Sequence, residues 1–143
     1  MLNQLKPINM KFKLFQMFDL ELEIAGGKRE DFSIVGLLNE SISFKTKYLL
    51  QRVLKKIGEE KEQYVASEKA LFTSLGAVEK DGNLVIENTL EDGSPNPAIQ
   101  KLIEERTQLM NVEVDAGDLD FKIEDFDFKS ESTYPLFMLI AFD

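Results

Sequence analysis

The chain contains no cysteine and no histidine. Thiol nucleophiles, Ser–His pairs, Cys/His zinc sites and histidine acid–base steps are therefore unavailable from its own residues, and so are disulfides. Any catalysis would have to rest on carboxylates, lysine, tyrosine or hydroxyls. Tryptophan is also missing. The longest apolar run, PLFMLIAF at 135–142, is too short to span a bilayer, and no charged, apolar and small-residue series opens the chain as a signal peptide would. These absences lead to the expectation of a soluble protein, intracellular when made, with no membrane partner.

What is present suits a folded globule. The 143 residues are 43% hydrophobic, include eleven phenylalanines, and correspond in size to one domain. Charge is unevenly placed within a net −9: residues 1–78 carry 12 basic and 10 acidic groups, residues 79–143 carry 5 and 16. In the first half Lys45, Lys47, Arg52, Lys55 and Lys56 follow one another with no acid between them. The plain reading is that this stretch meets the acidic half, within the fold or across a subunit contact. Direct nucleic-acid binding is the weaker reading, because the patch is short and the total charge repels phosphate.

Along the chain, KFKLFQMFDLELEIA at 11–25 ends with Leu20, Leu22 and Ile24 alternating against Asp19, Glu21 and Glu23, the period of a half-buried strand. GGKRED then reads as a turn into a second strand, FSIVGLL, making a hairpin. Gly26-Gly27-Lys28 lacks the length and the Ser/Thr of a phosphate loop. From Ser43 the period becomes helical: Leu50, Val53, Leu54, Ile57, Tyr64, Leu71, Phe72 and Leu75 share a stripe. Ser41 or Ser43 is placed to cap a helix of about 44–75, with Gly76 as its stop. Within it Lys55 and Glu59, and Lys56 and Glu60, have helical reach. Turn signals at Asp81-Gly82-Asn83 and Asp92-Gly93 flank LVIEN, which fits a small hairpin or a loop tip. Asn96 and Pro97 then begin a second helix to about 110, able to fold back antiparallel on the first.

DAGDLDFKIEDFDF at 115–128 has six carboxylates and one lysine. Leu119, Phe121 and Ile123 alternate with Asp120, Lys122 and Glu124, and then Phe126 and Phe128 fall on the other phase. A strand keeping one core face needs a bulge or bend near Glu124–Asp125. The spacing fails a calcium loop, since Gly117 and Leu119 stand where oxygen ligands are required and Phe126 where the closing Glu belongs. The acids, Asp118, Asp120, Asp125 and Asp127 among them, therefore read as the wet or partner-facing side of a strand. The apolar C-terminal segment, with Leu136, Phe137 and Phe142, reads either as core or as an anchor docking into a neighbouring copy.

The series SFKTKYLLQRVLKKIGEEKEQY, EKDGN, KLIEERTQLMNVEVD and an apolar terminus resembles a family of small tailed-bacteriophage proteins of unassigned function, over about residues 43–143. The resemblance does not extend to the first forty residues. It implies a phage-encoded, non-enzymatic protein, a virion or assembly component, and brings no catalytic residues.

The sequence thus gives an α+β expectation. N-terminal and C-terminal strands form a small antiparallel sheet packed on a long helix and a shorter antiparallel helix. A single domain is expected, with a strand-rich lead (1–42), a helical hairpin (43–110, loop 76–96) and an acidic strand region with an apolar end (111–143). No cofactor, metal or catalytic residue is expected. The candidate partner-binding residues are the five cations, the four aspartates and the three C-terminal apolar residues already named. The expected partners are copies of the chain or other phage proteins, in a homo-oligomer or larger assembly in the host cytoplasm or virion. The alternative is a small acidic inhibitor presenting carboxylates to a basic surface.

Overall fold

Met10 and Phe12 alternate with Asn9, Lys11 and Lys13, and Val114 alternates with Glu113 and Asp115. Two such segments bury their apolar sides together when they pair, and their opposite charges then face each other on the wet side. The computed structural model, which describes residues 8–126 and 133–142, shows this pairing. Strand β1 (Ile8–Lys13) runs antiparallel to β6 (Glu113–Leu119), with Lys13 opposite Glu113, Lys11 opposite Asp115 and Asn9 opposite Asp118. Between the last two pairs the register shifts, because Ala116 and Gly117 together oppose Met10 in a bulge. Asp115 holds that bulge, its Oδ1 accepting from the Gly117 N–H at 2.7 Å.

The remaining elements are α1 (Met17–Ala25), β2 (Gly27–Arg29), β3 (Phe32–Ile34), α2 (Phe44–Ser74), β4 (Val78–Lys80), β5 (Asn83–Val85), α3 (Pro97–Met110) and α4 (Pro135–Phe142). The fold is α+β, with a long helix and small antiparallel sheets. Contacts divide the chain into two compact units, one of residues up to Glu59 together with those from Glu113 onward, the other Glu60–Val112.

In the first unit, β1 is followed by helix α1 where alternation had suggested strand. Met17, Leu20 and Ile24, at helical spacing, are fully buried, and Leu and Glu are strong helix formers, so the helical period takes precedence over the alternating one. Gly26 ends the helix with φ 83°, and a Cβ there would run into the Val35 carbonyl, so the β2–β3 hairpin returns hard against the helix end. The hairpin itself is shorter than expected and uses Gly27–Arg29 as its first strand. Ser43 caps helix α2, its Oγ accepting from the Thr46 N–H at 3.2 Å. The helix buries Thr46, Leu49, Leu50, Val53 and Ile57 on one face of this unit.

The C-terminal segment belongs to the core of the first unit. Helix α4 packs against β1 and α1, burying Phe137, Met138 and Ala141. Phe121, Phe126, Phe137 and Phe142 meet edge to face with centroids 5.3–6.5 Å apart. The phase change in the acidic stretch is made by a 3-10 turn, Ile123–Asp125, rather than a bulge at that point. Ile123 turns outward, 52% exposed, while Phe121 and Phe126 stay buried. Phe128 lies outside the described residues.

The second unit is locally encoded. Strands β4 and β5 form a hairpin over Asp81-Gly82, both at positive φ (52° and 82°) as a two-residue turn of the I′ kind requires. Asn96 caps α3, its Oδ1 accepting from the Ala98 N–H at 3.0 Å, with Pro97 at the first helical position. Arg106 of α3 bonds Glu68 of α2 at 3.2 Å, and the Tyr64 hydroxyl donates to the same carboxylate at 2.7 Å.

Candidate functional site

Twelve residues were candidates for partner contact, and the structure sorts them into three groups. The first group lies on α2. Helical spacing places Phe44, Tyr48, Arg52 and Lys55 along one face, opposite the buried Leu49, Leu50, Val53 and Ile57. Phe44 is 90% exposed and Tyr48 62%. Tyr48, Gln51, Arg52, Lys55, Lys56 and Glu59 line an open concavity of about 460 Å³ with Ala116 of β6. Ala116, the small residue of the bulge, projects no long side chain into it.

The charges here are unequally satisfied. Lys45 donates to Asp120 Oδ2 at 2.7 Å, and this bond holds the Asp120 carboxyl below the usual carboxylate range and the Lys45 ammonium above its own. Among the described residues, Lys47, Arg52 and Lys55 form no ion pair or side-chain hydrogen bond. The expected Lys55–Glu59 pair is not made. Lys56 is half-buried and does have a partner.

The second group is the acidic stretch, and the structure does not gather it into one cluster. Asp120 is bound to Lys45; Asp118 accepts from Asn9 Nδ2 at 2.7 Å, and Asp115 from the same amide at 3.2 Å. Asp125 accepts from the Lys122 N–H at 2.9 Å and so closes the 3-10 turn. Asp127 lies outside the described residues. Among the described residues no three acidic side chains are grouped so as to hold a metal ion.

The third group is apolar. Phe137 is fully buried, and Leu136 and Phe142 are half-buried. The start of α4 is held by Glu23, whose two oxygens accept from the Phe137 N–H at 2.7 Å and the Leu136 N–H at 3.2 Å. Burial pushes the Glu23 carboxyl above its ordinary range against the opposing pull of these two bonds. Beside it the buried Tyr134 hydroxyl donates to Glu40 at 3.1 Å, and burial raises the phenol to about 12.

Sequence reasoning missed Phe44, Tyr48, Gln51 and Ala116 as parts of the α2 face. The aromatic pair had a signal, since Phe44 and Tyr48 are one turn apart and off the apolar stripe. Glu23 had none, because the two amides it caps are more than a hundred residues away.

No helix among the described residues is long and apolar enough to cross a membrane. No family model matches the chain, and no curated protein or solved structure matches it.

Proposed function

We propose that the chain is a non-enzymatic protein that works by docking to other proteins, as a virion or assembly component of a tailed bacteriophage made in the host cytoplasm. The observation behind the docking role is the α2 face, where two exposed aromatic rings lie in line with an arginine and a lysine on a rigid helix. Aromatic residues and arginine are enriched at interface centres, and a large ring left in water loses the contacts that burial would give it. The phage context comes from the resemblance of residues 43–143. Its partners are copies of the chain or other phage proteins.

The alternative, an acidic inhibitor presenting carboxylates to a basic surface, has less behind it. Asp120 is already bound to Lys45, and Asn9 bridges Asp115 and Asp118.

The test is light scattering on the purified chain at low and high salt, together with mass spectrometry of purified particles and assembly intermediates of the phage that encodes it. A discrete oligomer, or the chain recovered in particles or intermediates, is expected. The double variant Phe44→Ala/Tyr48→Ala should lose that association and keep its melting temperature. A chain that is monomeric at every salt and absent from particles and intermediates would sink the reading.

A further inference from the structure

We infer that the concavity beside Tyr48, Arg52 and Lys55 is a receptor for an acidic peptide segment of the partner, one that also brings an apolar side chain to Phe44 and Tyr48. The inference rests on the docking role proposed above and supplies its chemistry.

Acids outnumber bases 26 to 17 in this chain. Lys45 shows the satisfied arrangement, with Asp120 at 2.7 Å. Arg52 and Lys55, on later turns of the same helix and lining the concavity, form no such pair among the described residues. Cations left unneutralised beside a concavity, in a protein rich in acid, form a local positive field set in a negative one. That arrangement selects for an anionic group at this spot and repels it elsewhere.

Geometry narrows the anion. Arg52 and Lys55 are three residues apart, a rise of about 4.5 Å along the helix. Same-side carboxylates of an extended peptide are about 6.6 Å apart at the backbone, a mismatch that the long cationic side chains absorb. The guanidinium of Arg52 can take a carboxylate through two parallel N–H bonds, while Lys55 acts as a point charge. From Phe44 to Lys55 the face runs about 16 Å, the span of roughly five extended residues. Ala116 leaves the floor open to a peptide backbone. A nucleic-acid backbone fits less well. Glu59 lines the same concavity, and two unpaired cations, Arg52 and Lys55, within a net charge of −9 are few for a continuous polyanion.

The experiment uses the full chain and three labelled probes followed by fluorescence anisotropy. The first is a roughly ten-residue peptide alternating aspartate with leucine and one phenylalanine, the second its asparagine counterpart, and the third a thymidine oligonucleotide of similar length. The acidic peptide should bind, and its affinity should fall about tenfold or more between about 50 and about 300 mM salt, as screening removes the contribution of the cations. The double reversal Arg52→Glu/Lys55→Glu should abolish binding with no loss of melting temperature, since neither side chain has a partner among the described residues. Binding of the asparagine peptide as tight as the acidic one would overturn the inference, as would tighter binding of the oligonucleotide or indifference to the reversal. If the acidic peptide fails to bind while Phe44→Ala/Tyr48→Ala still breaks the association, docking stands and the acidic partner falls. If that variant also has no effect, both fall.

Discussion

Of the twenty-two apolar side chains buried among the described residues, nineteen belong to the unit made of the chain's two flanks, and three, Tyr64, Ile86 and Leu102, belong to Glu60–Val112. The flanks build a core of interlocked rings and aliphatics from segments far apart in sequence. The middle is held by caps, a tight turn, and the Glu68 carboxylate shared by Tyr64 and Arg106. One region is stabilised mainly by burial and the other mainly by local geometry. The free energy of opening should therefore differ along the chain, and amides of 60–112 should exchange with solvent faster than those of β1, α1 and the first half of α2.

Substitutions at four positions would break or sharpen this contrast. The largest effect is expected from Phe137→Ala, which empties the centre of the ring cluster and should cost about 3–5 kcal/mol in urea unfolding. A loss below about 1 kcal/mol would mean that the flanking core is not the dominant one. Leu102→Ala should cost about 2–3 kcal/mol, at the low end for a leucine because the thin surroundings can collapse into the space. Its signature is regional: exchange should quicken in 60–112 and stay unchanged in 8–57, and uniform acceleration would show that the two regions open together.

Glu23→Ala should cost about 1–3 kcal/mol by leaving the buried Phe137 N–H and the half-buried Leu136 N–H at the start of α4 without an acceptor. Glu23→Gln keeps an acceptor and separates charge from capping. Because the folded Glu23 holds its proton to a higher pH than the unfolded one, its contribution to stability falls as pH rises from the ordinary glutamate range through the raised folded value. The glutamine variant should lose that limb of the stability profile, and an unchanged profile would remove Glu23 as its source. Asn96→Ala, at the cap of α3, should cost about 1 kcal/mol, read as faster exchange in α3. An effect equal to that of Phe137→Ala would contradict the contrast from the other side.

The same division explains what the sequence made legible. The long helix, its Ser43 cap, the Asp81-Gly82 hairpin and the Asn96-Pro97 helix start were readable because each signal lies within a few residues of the structure it determines. In the flanks, α1 carried two periods at once, and burial of Glu23 under α4 depended on a helix more than a hundred residues away. The acidic stretch was read as a wet strand face, which holds only to Leu119, where β6 ends; Asp120 to Asp125 form a loop and a 3-10 turn instead. Within β6, Glu113 and Asp115 face Lys13 and Lys11 of β1, a pairing that two separate alternating patterns could have suggested only if compared with each other. The α2 concavity was half legible: the cations were evident, but Ala116 joins them through the tertiary fold.

The pairing of Lys13 with Glu113 has a consequence in time. A ribosome adding about 5–20 residues per second needs roughly 5–20 s to make the hundred residues between them. Throughout that interval Met10, Phe12, Leu20 and Ile24 have emerged without the strand and helix that will cover them. The middle of the chain can meanwhile form its hairpin and helices unaided. Nascent chains stalled before residue 113 should therefore carry a protease-sensitive, chaperone-binding N-terminal stretch, and release of the last thirty residues should make it resistant in one cooperative step.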